Sequence, residues 1–113
     1  MGNYPASKQH LTVTQPDGRR LVSRPVRRRI EHEEANLAIA EGAQSAVITD
    51  QNDRLLYEAH RVDGAQFSWR NALMAGAAII PLVDATLWHG ERYSLEGYAN
   101  LFGGRLEFVE EPA

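Results

Sequence analysis

SAVITDQNDRLLYEAHR, residues 45–61, decides how the rest of the chain is read. Two runs, SAVITD and RLLYEAHR, stand on either side of Gln51-Asn52, and Val47 and Ile48 point to opposite faces. That is the pattern of a β-hairpin closed by a polar turn. Immediately before it, Gly42 follows a helical stretch ending at Glu41, where glycine supplies the left-handed stop of a helix. Earlier still, HLTVTQ and RRLVSR flank Pro16-Asp17-Gly18 and form a first hairpin, with Leu11 and Val13 alternating with polar neighbours.

The helix between the two hairpins is expected to start near Ile30, because charge order disfavours an earlier start. Arginines in a first turn oppose the positive end of the helix dipole, whereas Glu31, Glu33 and Glu34 favour it. Arg27, Arg28 and Arg29 therefore belong to an extended lead-in, and Pro25 disfavours helix at Arg24. Ile30 and Leu37 point one way and Ala35 and Ile39 nearly the opposite way, so this helix is expected to be covered on more than one side.

Beyond Gly64 the spacing of Trp69, Leu73, Gly76 and Ile80 predicts a second helix capped by Ser68 and ended or kinked by Pro81. Residues 82–93 read as strand more than helix, because Leu87, His89 and Glu91 alternate with Trp88 and Arg92. Ser94 caps a short helix whose Leu95, Tyr98, Ala99 and Phe102 form a stripe, with Tyr93 and Tyr98 placed as a hydrophobic staple. RLEFVEE closes the chain as a strand. The expected fold is α+β: a mainly antiparallel sheet, made by hairpin-helix-hairpin followed by two helices and a C-terminal strand, with the helices packed on it. Residues 1–113 are expected to form one such domain.

Composition fits that architecture. Of 113 residues, 43% are apolar and 24% charged, the balance of a globular chain that can bury a modest core. The net charge of −3 gives no general attraction to nucleic acid or anionic lipid. The absence of cysteine removes disulfides, thiolate metal sites and thiol nucleophiles together. MGNYPASKQH lacks the features of a signal peptide, and ALMAGAAIIPLVDATLW, residues 72–88, is broken by Pro81 and Asp84 before it could span a bilayer. A cytoplasmic location and no membrane partner are the expectations.

Candidate sites are few. Arg19, Arg20, Arg24, Arg27, Arg28 and Arg29 make half of the chain's cations, and arginine suits bidentate contact with carboxylate or phosphate. No aromatic residue interleaves with them, and Glu31, Glu33 and Glu34 would repel phosphate. IEHEEA is not a HExxH zinc motif, since position 36 is Asn. Asp50, Asn52 and Asp53 resemble the start of a calcium loop, but Leu55 stands where glycine is required and Arg61 where the bidentate glutamate is required. His89 with Glu91, and His60 with Asp63, are possible acid–base pairs, without a nucleophile elbow, phosphate-binding glycine loop or paired carboxylates beside them. No catalytic residue, metal or cofactor is assigned.

The function these observations favour is that of a small acidic, non-enzymatic protein-binding module: an accessory, regulator, inhibitor or immunity-type protein acting by occupying a partner's surface. Arg24, Arg27, Arg28, Arg29, Trp88 and Tyr93 are its candidate partner-binding residues, because arginine and aromatics dominate binding hot spots. The alternatives are a nucleic-acid-binding domain using residues 19–29 and a small enzyme or ligand-binding domain centred on His89 and Glu91. A homodimer through an unpaired sheet edge is also open, with the C-terminal strand as that edge and Glu107, Glu110 and Glu111 as its guards.

Overall fold

The computed structural model describes residues 9–23, 30–85, 93–101 and 106–111. Ten elements follow in chain order: β1 (His10–Thr14), β2 (Arg20–Ser23), α1 (His32–Ala40), β3 (Ser45–Thr49), β4 (Leu55–Arg61), β5 (Gln66–Asn71), β6 (Ala78–Pro81), α2 (Leu82–Ala85), α3 (Leu95–Leu101) and β7 (Phe108–Glu110). The strands form a seven-stranded sheet in the order β6-β5-β4-β3-β1-β2-β7, and every neighbouring pair is antiparallel. The expected α+β class is correct, with α1 and α2 packed on the sheet and α3 against α1.

Both expected hairpins are present. In the first, Leu11 and Val13 are buried beneath α1, and Gly18 takes a left-handed φ of 92° at the turn. In the second, one carboxylate organises the turn: Asp50 Oδ1 accepts the backbone N–H groups of Asn52 at 2.8 Å and Arg54 at 3.0 Å. Asp50 Oδ2 then pairs with the Arg54 guanidinium at 3.0 Å, so the calcium-like spacing serves a turn.

Helix α1 begins where the charge order places it. Glu31 is its N-cap, the Glu31 N–H donates to Glu34 Oε1 at 3.3 Å, and the Ile30 N–H donates to Gln9 Oε1 at 2.7 Å. Its end is a Schellman motif: Gly42 (φ 115°) donates to the Ile39 carbonyl and Ala43 to the Ala38 carbonyl, both at 3.0 Å. Arg61 on β4 donates to the Ile39 and Ala43 carbonyls, placing a cation at the negative end of the dipole. Glu34, Ala35, Leu37, Ala38 and Ile39 are all buried, so α1 is indeed covered on more than one side.

The helix expected from Ser68 to Ile80 does not form. Gln66–Asn71 is β5, paired with β4 in the register Tyr57↔Asn71, Ala59↔Trp69 and Arg61↔Phe67, and β6 pairs back onto β5. Phe67, Trp69 and Asn71 share one face with a period of two, and Phe67 is buried in the core. Asn71 ends the strand, its Oδ1 accepting the Leu73 N–H at 2.9 Å and its carbonyl accepting the Met74 N–H at 3.1 Å. Leu73, assigned to the buried stripe of that helix, is 97% exposed in the β5–β6 turn. A further correction falls at Leu82–Ala85, which is helical rather than strand-like, while 86–92 lie outside the described residues.

Ser94 caps α3 through its Oγ, which accepts the Gly97 N–H at 3.0 Å, and the Tyr93 and Tyr98 rings meet edge-on at 6.0 Å as the expected staple. The Leu95 N–H donates to the Glu41 carboxylate and so ties α3 to the end of α1. Strand β7 is an edge, as expected, with Glu110 paired to Arg19 at 3.9 Å and Glu111 to Arg20 at 3.1 Å.

Gly42 has open space where a Cβ would stand, so Gly42→Ala should cost only the left-handed backbone penalty, about 1–2 kcal/mol. Urea unfolding should show that loss as a lower midpoint with an unchanged slope; an unchanged midpoint would mean that the helix stop does not need this conformation.

Candidate ligand-binding cleft

The width of the sheet exceeds what α1 can cover. Seven strands about 4.8 Å apart span roughly 29 Å, whereas α1 runs along the strands, from Gln9 at one end of β1 to Thr14 and Arg61 at the other, and a helix with its side chains is only about 10–12 Å across. Helix α1 lies over β1, β3 and β4, and α2 meets β5 and β6. Between the first turns of α1 and the β4–β6 half of the sheet, a cleft of about 670 Å³ remains open. That volume falls in the range of small-molecule sites.

Its walls come from separate elements. Ile48 on β3, Leu56 on β4 and Ile80 on β6 give apolar lining, Tyr57 and Trp69 give aromatic lining, and Asn36, His32 and Asn71 bring polar groups. A bulge helps to build it. The β3–β4 register runs Ile48↔Tyr57 and then Thr49↔Leu55, skipping Leu56, so that consecutive Leu56 and Tyr57 both line the cleft.

The aromatic groups are organised in series. Tyr57 stacks on Trp69 with ring centroids 5.9 Å apart, and His32 lies tilted over Tyr57 at 5.6 Å. The Tyr57 hydroxyl donates to Asn36 Oδ1 at 2.8 Å. Burial pushes its phenol well above the usual tyrosine range, an effect that outweighs the Asn36 hydrogen bond and is reinforced by Glu33, so the group stays protonated. Trp69 Nε1 is buried without a hydrogen-bond acceptor among the described residues. Leaving such an N–H without an acceptor costs about 1–3 kcal/mol.

A second polar group stands on the sheet face away from α1. Register places Thr12, Val47, Glu58 and Arg70 in one row across that face, with Val22 and Val109 continuing it towards β7. Glu58 accepts from His60 Nε2 at 2.6 Å and from Arg70 Nε at 2.6 Å. His60 therefore pairs with Glu58, two residues away on the same strand face, and not with Asp63 as the sequence suggested. Asp63 instead accepts the backbone N–H groups of Ala65 and Gln66.

Of the candidate partner-binding residues, Arg24, Arg27, Arg28, Arg29 and Trp88 lie outside the described residues, as do His89 and Glu91. Tyr93 is half-buried against Tyr98 and does not reach the cleft. Glu31, His32 and Glu33 bring their ligand atoms within 4.8 Å of one another, but Glu31 forms the helix cap and His32 Nε2 already meets Glu33 at 3.3 Å. Sequence reasoning missed Tyr57, Trp69, Asn36 and Asn71 as a group. One signal was readable: Asn36 shares a helical face with His32.

The chain matches no family model, no curated protein and no solved structure.

The hydrogen bond from His60, helped by the charge of Arg70 and opposed by desolvation, holds the Glu58 carboxyl below its ordinary value of 4.5. A carboxyl depressed in this way stabilises the fold above its ordinary value, and that contribution is lost as pH falls through the lower folded value. Urea midpoints compared for wild type and Glu58→Gln should therefore differ most above about pH 5 and converge in acid. A difference that stayed constant with pH would contradict the assigned ionisation.

Proposed function

We propose that the chain is a non-catalytic ligand-binding domain whose cleft accepts an uncharged, flat, mostly apolar small molecule. The observation that carries this reading is the stacked Tyr57–Trp69 pair lining a cleft of about 670 Å³. Aromatic faces favour a planar ring, and the few polar groups at the margin fix orientation without dominating the site. Glu31 and Glu33 near the mouth disfavour anions. A protonated Tyr57 that already donates to Asn36 is a poor general base, which favours binding over turnover.

A second reading, occupation of a partner protein's surface, is favoured by Leu73. It lines the cleft margin and is 97% exposed, the presentation of an anchor side chain. The two readings separate experimentally, because only the first requires the cleft to bind a free small molecule.

N-phenyl-1-naphthylamine, an uncharged dye made of a naphthalene and a phenyl ring joined through N–H, tests the first reading. Its 17 heavy atoms at about 0.3 kcal/mol each give about −5 kcal/mol, a Kd on the order of 0.1 mM. In a Trp88→Phe background, dye emission should rise saturably with energy transfer from Trp69. Ala72→Glu, at an exposed cleft-margin position, places a charge at the mouth without adding a fluorophore and should weaken binding at least about tenfold. Equal binding by that variant, or no rise in emission when protein is titrated to about 1 mM into micromolar dye, would sink the small-molecule reading.

A further inference from the structure

The two edges of the sheet are built differently. Strand β7 is flanked by Glu107 and Glu111, carries Glu110, and makes ion pairs with Arg19 and Arg20. Charges of this kind keep a strand edge from pairing with another chain. At the other edge, β6 lies in NALMAGAAIIPLV, residues 71–83, a stretch of 13 residues with no charged side chain. Its apolar groups are presented outward: Leu73 is 97% exposed, Ile79 54% and Val83 58%. Pro81, at the last position of the strand, is the one blunting feature there.

We propose that this edge is the interface with a second copy of the chain, β6 pairing antiparallel with β6 of the partner copy across a two-fold axis. Antiparallel pairing of a strand with itself is self-complementary, as a closed two-fold interface requires. Half of the backbone N–H and C=O groups of β6 point away from β5, and among the described residues no strand pairs with them. Charge also selects this edge. Each copy carries a net −3, so two copies repel where their acidic groups meet, and residues 71–83 offer an edge that carries no charged side chain to add to that repulsion. Two β7 edges would bring Glu107, Glu110 and Glu111 together.

Size sets the strength of the pair. Interfaces use about 20–30 residues a side for about 800 Å², so 13 residues bury roughly 400 Å² per copy. A total of roughly 800 Å² makes a weak, exchanging dimer that forms at high protein concentration.

Sedimentation equilibrium from about 10 μM to about 1 mM tests this, together with amide hydrogen exchange at the two extremes. Wild type should rise from the monomer mass towards twice that mass, with amides of residues 78–80 gaining protection as concentration rises. Ile79→Lys, a charge on the exposed edge, should weaken association at least tenfold, whereas Val109→Lys on the opposite edge should leave it unchanged. A monomer throughout, growth beyond a dimer, or a greater effect of Val109→Lys than of Ile79→Lys would each overturn the proposal. The exchange measurement needs no variant: association without added protection at residues 78–80 would overturn it as well.

Discussion

Helix α1 is pinned at both ends, and the helix-bearing face of the sheet depends on that pinning. At its start, Gln9, just ahead of β1, accepts the Ile30 N–H and joins the lead-in of the helix to the first hairpin. At its end, Arg61 reaches from β4 to the Ile39 and Ala43 carbonyls, while Gly42 reverses the chain into β3. Nine residues between fixed points cannot be lengthened without moving a strand. The helix therefore buries what lies under it, Leu11, Val13, Ala46, Ile48 and Ala59, and leaves the β4–β6 end partly open. The cleft is the consequence of a single helix, one helix diameter across, on a wide sheet.

The hairpin-helix-hairpin core was legible in the sequence because each of its boundaries is fixed by a local chemical signal. Asp17-Gly18 and Asp50 specify turns, Glu31 and Glu34 specify a helix start, and Gly42 specifies a stop. None of these needs knowledge of the rest of the chain. The region from Phe67 to Pro81 carries one such signal, Asn71, and is otherwise without them. Its apolar and small residues satisfy a helical spacing as readily as an alternating one, and tertiary pairing of β5 with β4 decides between them. Asn71, which ends the strand by closing on Leu73, was the local cue that favoured strand and turn.

The cleft was less legible than the fold for a different reason. Asn36, Tyr57, Trp69 and Asn71 come from α1, β4 and β5, and only the antiparallel register brings them side by side. His60 teaches the same lesson on the other face. A period-two strand places it with Glu58, and register then adds Arg70 from the neighbouring strand. Residues close in sequence but separated by a turn, such as His60 and Asp63, are poor guides to a site.

The most direct test of the account is a ¹H–¹⁵N NMR titration of the full chain with N-phenyl-1-naphthylamine. Binding between α1 and the β4–β6 half of the sheet predicts shifts at the Trp69 indole N–H, at the Asn36 and Asn71 side-chain amides, and at the Ala72 backbone. Thr12, Val47 and Glu58 on the opposite face should stay still. Shifts confined to that opposite face, or no shifts as dye is added, would contradict the claim that a single helix on this sheet leaves a working site.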